Sequence, residues 1–374
     1  MKIQFTVFAN LDAAVNAPEY RELIDHCPDA TLFNDWPWLS TWNAHLVCDQ
    51  RVFLVGRTHE GQLVAFLGLR ISDELMHGVP AKVARLLQYP WADRVGLLLH
   101  AAYLHEWEAM LDCLDAQSDN WDAMVWGQWC DSQGLRERAL VWSQKKNAWL
   151  HSVLTCSCPV LFINGNSEDE MIASYPSKMR TDLKRRRKKL EQMGAEIKHF
   201  RPNQNDAVAL VEALKNSEAQ SWKGDEGVGI FTHPQGAAFF ADVAQRLAQE
   251  DQLDVALIYL EGQLASYRFG FYYRKRFLDY SVAYLPEHNK LALGRILLDE
   301  VVLSAAREGY EAVDASRVGS TTKHILLERT DQVIPHWRLY WFNKNTKGLL
   351  LKGLVTLGKP LAKRTRLKLR QLRA

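Results

Sequence analysis

The chain predicts an α/β fold made of two similar halves. Three observations lead there: a hairpin signature that occurs twice, a helix-forming stretch ahead of each hairpin, and a strand-rich run that ends on a glycine opening an amphipathic helix. The 374 residues fit two domains of roughly 150 residues each. The 47% hydrophobic and 24% charged content is that of a soluble globular chain with enough apolar residues for two cores.

The first half runs to about residue 160. Its opening helix is expected in FNDWPWLSTWNAHL (Phe33 to Leu46), with Asn34 or Asp35 as N-cap and Pro37 in the first turn. Next comes VFLVGRT-HEGQ-LVAFLGLRIS, two β-rich runs around a tight polar turn. HEWEAMLDCLDAQ reads as a helix and WDAMVWGQW (Trp121 to Trp129) as a strand. The tryptophans there read as core or as a stacking platform for a sugar or base.

The second half covers 161–345. Ser167 and Glu170 have capping-box spacing. The helix they open carries Arg180, Lys184, Arg185, Arg186, Arg187, Lys188 and Lys189 against Asp182 alone, and Gly194 is positioned to stop it. Such a charge run is either a solvated face or the seat of an anionic ligand. The hairpin signature then returns as DVALIYL-EGQ-LASYRFGFYY, with Glu60-Gly61-Gln62-Leu63 repeated as Glu261-Gly262-Gln263-Leu264. FLDYSVAYL (Phe277 to Leu285) alternates and ends at Pro286. Leu293, Leu297 and Val301 share a face of the next helix, and Gly309 closes it.

Gly294 falls at the start of that helix, where backbone N–H groups and the dipole favour an anion and a missing side chain lets phosphate approach. Arg295 would add charge. The strand EAVDA delivers Asp314 to its end, and SRVGSTTKH brings Gly319 and Lys323. Such a lysine suits developing negative charge on a thioester, phosphate or tetrahedral oxygen, and such an aspartate suits an attacking amine. The alternative is a loop-capping Asp314 and a solvated Lys323. His233, His288, His324 and His336 are scattered and none is assigned as a base.

Charge is unevenly spread. The net charge is +2, yet Thr346 to Ala374 hold nine Lys/Arg and no Asp/Glu, leaving −7 on the rest by difference. This tail, 346–374, reads as a basic amphipathic segment. It would either lie on an anionic membrane or dock on the body by its leucines. No secretory signal is expected in MKIQFTVFANLDAAVN, and no apolar run is long enough to span a bilayer. Cys156 and Cys158 form a C-x-C pair without metal-site spacing, so no metal and a reducing cytoplasm are expected. No motif for base-specific DNA recognition is present.

Four segments carry a family resemblance: FNDWPWLSTW, KMRTDLKRRRKKLEQMG, the block ending LALGRILLDEVVLSAAREGY, and VDASRVGSTTKH. With them the chain resembles the GNAT acyltransferases of the FemAB-like and CelD-like branch over roughly residues 30 to 340. The resemblance implies an α/β (α+β) fold of two tandem GNAT-like domains, 1–160 and 161–345, each a mixed, largely antiparallel sheet flanked by helices. It implies no permanent cofactor and an acyl-CoA co-substrate, acetyl-CoA first, held by Gly294 and the preceding strand, with Asp314 and Lys323 lining the active site. Three family features are replaced. Ala292-Leu293 stands for the usual Ser-Pro, Leu291 and Ile296 stand at the first and last places of the pyrophosphate loop, and Thr322 stands for the aromatic residue before the lysine.

The implied reaction is direct acyl transfer to an amine or hydroxyl, since no Gly-x-Ser-x-Gly elbow is present. The carrier would be hydrogen-bonded by the backbone of Ser281, Val282, Ala283 and Tyr284, with Arg295 near its phosphates. The acceptor, a small-molecule or lipid-linked sugar of the cell envelope or an exopolysaccharide, would meet Arg180, Trp222, Lys223 and Arg317 in a cleft between the halves. The expected location is cytoplasmic, at the inner face of the membrane if the tail binds lipid. Two alternatives stay open: an aminoacyl-tRNA-dependent transferase acting on a peptidoglycan precursor, and a non-catalytic binding protein on a degenerate fold.

Overall fold

A computed structural model describes residues 3–45, 47–88, 90–319 and 324–358. The chain divides into two compact units, Met1–Thr155 with Pro335–Ala374, and Cys156–Ile334.

In the first unit the strands are β1 (Gln4–Phe8), β2 (Gln50–Arg57), β3 (Leu63–Met76), β4 (Val79–Leu86), β5 (Leu98–Leu99), β6 (Ala123–Trp129) and the first part of β7 (Trp149–Phe162). Its helices are α1 (Leu11–Ala14), α2 (Ala17–Asp25), α3 (Trp36–His45), α4 (Trp107–Asp115) and α5 (Leu135–Lys145). The second unit adds α6 (Glu168–Ser174), α7 (Ser177–Gln192), α8 (Gln204–Ala219), α9 (Trp222–Glu226), α10 (Pro234–Gln249) and α11 (Leu293–Arg307). Its strands are the rest of β7 with β8 (Glu196–Phe200), β9 (Leu253–Leu260), β10 (Gln263–Tyr273), β11 (Arg276–Tyr284) and β12 (Ala312–Asp314). The strand β13 (Val333–Phe342) and the helix α12 (Thr346–Gly353) follow.

Each sheet is mixed and mostly antiparallel. In the first unit the order β1-β2-β3-β4-β6-β13 has one parallel step, between β4 and β6. In the second the order β8-β9-β10-β11-β12-β7 has its parallel step at the same place, between β11 and β12. The repeated hairpins are β2–β3 and β9–β10. Their shared Glu-Gly-Gln-Leu nonetheless builds different turns. Glu261 and Gly262 both take positive φ, 50° and 80°, in a two-residue loop that suits the strand twist. Gly61 alone does so in the earlier loop, which Thr58 closes by donating to the Gln62 carbonyl at 2.9 Å.

The expected boundaries at 160 and 345 shift. The division falls after Thr155, and Pro335 onward returns to the first unit because β13 pairs antiparallel with β6, Trp337 opposite Trp129 and Phe342 opposite Ala123. Trp121, Trp126 and Trp129 are buried, so core is their role and the stacking-platform alternative falls. Asp35, not Asn34, caps α3 by accepting the Trp36 N–H at 2.7 Å, while Asn34 is tied to the Gly96 backbone.

In the second unit α6, α7 and α11 cover one face of the sheet around Leu183, Leu190, Leu297, Val301 and Ile258. On the other face Phe231 and Phe240 stack edge-on against Phe269 of β10, beneath α8 and α10. The Ser167–Glu170 capping box is formed, but Tyr175 and Pro176 break the basic stretch away from α6 into a separate helix.

Candidate active site

The sheet of the second unit opens where its parallel pair begins. β10 accompanies β11 from Arg276 to Tyr284. β12 follows it only at Arg276, Phe277 and Leu278, opposite Ala312, Val313 and Asp314. From Asp279 to Tyr284 the other edge of β11 has no strand partner among the described residues, the kind of edge to which an extended ligand can add. The register skips Tyr280, and this bulge bends β11 at the point where the two strands part.

Two distinct sets of side chains occupy the two faces of this segment. On the α11 face, a Cβ placed on Gly294 would lie 3.6 Å from Val282 Cγ2 and touch nothing else within 4 Å. The helix therefore starts against the open strand, and packing among the described residues does not require a glycine at 294. Ala292, the residue before α11, is left-handed (φ 55°), and no side chain caps the first turn; the Arg295 and Ile296 N–H groups bond the Ala292 carbonyl at 3.0 and 3.3 Å, which leaves the Leu293 and Gly294 N–H groups without an acceptor among the described residues. Beneath it Arg268, almost fully buried, donates to the Gly294 carbonyl at 2.9 Å and is ion-paired with Asp279. His324 Nε2 is 3.3 Å from Asp279, while its Nδ1 accepts the Leu326 N–H. Burial works against the Asp279 charge, but Arg268 and His324 hold its carboxyl below the usual range. Burial pulls the Arg268 guanidinium below its ordinary value against the pull of Asp279.

On the opposite face Lys223 Nζ donates to Ser281 Oγ at 2.6 Å. Glu218, fully buried on α8, accepts from Tyr267 Oη at 2.8 Å and from the Phe231 and Thr232 N–H groups at 2.7 and 3.1 Å. Its carboxylate is 4.0 Å from Lys223 Nζ. Burial, followed by the charge of Glu218, pushes the Tyr267 phenol well above its ordinary value.

The other expected site residues are distributed as follows. Asp314 is fully buried at the point of divergence, and one of its oxygens accepts the Ser316 N–H at 2.8 Å, so it does cap its own loop. Lys323 lies outside the described residues. Arg295 is engaged by Glu328, which raises the guanidinium and lowers the carboxyl, so its charge is already matched. Arg180 bonds the Ala173 carbonyl at 2.9 Å on the α11 face, whereas Lys223 and the half-buried Trp222 belong to the other face; they are not one acceptor site. Arg317 is exposed on the loop after β12. The basic run is also less bare than its sequence implies: Arg187 turns inward to Asp299 and Glu300 of α11, each at 2.9 Å, and Arg185 and Arg186 share Asp182. Glu218, Tyr267, Arg268 and Asp279 were missed from sequence. Arg268 and Asp279 are marked in the sequence as charges within apolar strands, but their pairing, like that of Glu218 and Tyr267, is not.

Residues 177–323, from the first residue of α7 to beyond β12, match the family model of the Acetyltransferase (GNAT) domain. The second unit contains a GNAT domain. In that domain β11 and β12 are the parting strands and α11 the helix that faces them. A search of curated proteins returns no match. Solved structures match over more than nine-tenths of the chain. FemX aligns with a TM-score of 0.60 at 10% identity, over 94% of this chain and 100% of that one. L-PGS from Bacillus licheniformis gives 0.53 at 9%, over 92% and 96%. The C-terminal domain of a protein from Agrobacterium fabrum, named as a lysylphosphatidylglycerol synthetase, gives 0.54 at 9%, over 91% and 95%. At these identities the likeness is one of fold: two GNAT-like units in tandem.

Proposed function

We propose that the protein is an acyltransferase that moves an acyl group from acyl-CoA directly to an amine or hydroxyl of a sugar or cell-envelope precursor. The observation behind this reading is the open edge of β11 set against the uncapped start of α11, with the position of a Gly294 Cβ left vacant between them. An extended pantetheine would pair with Ser281–Tyr284 as an added strand does, and its pyrophosphate would meet the first turn of α11. The helix dipole and backbone then do the work that Arg295, held by Glu328, is not placed to do. In the transfer the acceptor's lone pair attacks the thioester carbon. The C–N or C–O bond forms, the C–S bond breaks, and the acceptor's proton is passed to a base or to the departing thiolate. Asp314 and Lys323 remain proposed site residues, with Trp222 and Arg317 proposed for the acceptor.

The test is calorimetric titration of the purified protein with acetyl-CoA and longer acyl-CoAs, with Gly294→Glu as control. Binding that this change abolishes supports the reading; no binding by any acyl-CoA overturns it. A second reading, an aminoacyl-tRNA donor, is favoured by α7. Its Lys178, Lys184, Lys188 and Lys189 are exposed and carry no ion pair among the described residues, as a surface for a phosphate backbone does. Retention of charged tRNA that falls steeply with salt, without CoA binding, would select it. Failure of both leaves a non-catalytic binding role.

Membrane contact through 346–374 is likewise a proposal. α12 docks by the buried Leu351, followed by Val355, onto Tyr340 and Phe342, and leaves Leu349, Leu350 and Leu357 exposed. Residues 359–374 lie outside the described residues. No helix among the described residues is long and apolar enough to cross a membrane.

A further inference from the structure

Lysine is seldom buried, because its long side chain normally carries the ammonium out to water. Lys223 does the reverse. It sits on the five-residue α9, yet its side chain is only 13% exposed and reaches into the sheet to Ser281. Ser281 belongs to the segment of β11 that has lost its partner strand on one side. The ammonium is thereby delivered to the place where the acyl carrier is proposed to lie.

An ammonium so largely withdrawn from water needs a counter-charge, and Glu218 supplies it at 4.0 Å. Glu218 is itself fixed: Tyr267 Oη and two backbone N–H groups of the loop before α10 converge on it. That loop closes tightly, since a Cβ on Gly229 would fall 2.4 Å from a Glu218 oxygen. Among the described residues the groups facing Lys223 include Glu218 from α8, Tyr267 from β10, Ser281 from β11 and the Trp222 ring of α9, 6.0 Å from Nζ; Asp279 and Arg268 act on the far face of the sheet.

We propose that Lys223 is the cation that polarises the carbonyl of the bound thioester, and that Glu218 keeps it protonated and therefore unable to attack that carbonyl itself. This inference rests on the carrier reading above. An ammonium aimed at the developing oxyanion in a water-poor site is a strong electrostatic catalyst. The same amine, once neutral, is a nucleophile beside an activated ester, so the pairing with Glu218 has a chemical purpose beyond stability.

That double nature provides the test. The purified protein is incubated with acetyl-CoA from pH 7 to pH 10, and acetylated lysines are mapped by mass spectrometry, for the wild type and for Glu218→Gln. Neutral Nζ forms a C–N bond with the acetyl carbon, the C–S bond breaks, and CoA leaves as the thiol with the proton the amine gives up. Losing the carboxylate lowers the lysine's hold on its proton, so Glu218→Gln should acetylate Lys223 at least about 10-fold faster at pH 7. Excess free CoA should suppress this site and spare the exposed lysines of α7.

If Glu218→Gln does not fold, the wild-type pH series decides: CoA-suppressible acetylation of Lys223 should climb with pH. Binding of acetyl-CoA with no CoA-suppressible acetylation of Lys223 in either protein overturns the inference and leaves the carrier reading intact. Absence of acetyl-CoA binding overturns both.

Discussion

Replacing Gly294 with alanine separates what the fold needs from what a ligand would need. A Cβ there makes one ordinary contact, 3.6 Å to Val282, and Gly294 is not among the glycines with positive φ. Alanine therefore brings no clash, and it brings the usual helical advantage over glycine and a less flexible unfolded chain, about 0.5–1 kcal/mol. In a unit of this size that is a rise in Tm of about 1–4 °C. Acyl-CoA affinity should move the other way. A methyl group in the gap between α11 and β11 holds phosphate or pantetheine off the backbone N–H groups, and loss of one good contact is about 1.4 kcal/mol, a factor of about 10 in Kd. Differential scanning calorimetry and titration calorimetry on the same preparations measure the two effects. A stabilised variant that binds acetyl-CoA as tightly as the wild type would show that Gly294 is not at the carrier site. A destabilised one would show that the helix start is packed differently.

Three more outcomes follow from the same geometry. Asp279→Asn should cost about 3–5 kcal/mol in urea unfolding, because Arg268 stays buried without its counter-charge. Asp279 titrates below its unfolded value, so its contribution is complete above about pH 4 and lost as pH falls further; the acid limb of the stability profile should flatten in the variant, and an unchanged limb would refute the pairing. Arg187→Ala, which unties α7 from Asp299 and Glu300, should destabilise clearly more than Arg185→Ala, whose side chain is 73% exposed and whose loss should stay within about 0.5 kcal/mol. A chain ending at Gly358 keeps the docked Leu351 and Val355 but loses the basic remainder; it should stay folded and no longer co-sediment with phosphatidylglycerol vesicles, and equal sedimentation would exclude residues 359–374 as the membrane contact.

The hairpin β9–β10 and helix α11 were legible because their patterns are local: strand alternation around a two-residue turn, and Leu293, Leu297 and Val301 at helical spacing, all buried. β7 and β13 were not read at all. WLHSVLTCSCPVLF and VIPHWRLYWF lack a clean period of two, and what makes them strands is a partner far away in sequence. The helix start at Gly294 was visible as a glycine in the right place. Glu218 and Asp279 were not, since burial of a charge depends on counter-charges from other elements that no single segment displays. Pro176 was an available signal for the break between α6 and α7 that the reading passed over.

The assignment of β13 to the first unit bears on how the chain comes into being. The ribosome releases Met1–Thr155 long before Pro335, so the strand that flanks β6 is made only after the whole second unit. Until then the nascent first half presents a bare edge rich in tryptophan, the kind of surface that invites aggregation or a chaperone. Completion of the first unit is in this way deferred until the second has been made, and a product released early by truncation near residue 334 would be left with that edge open.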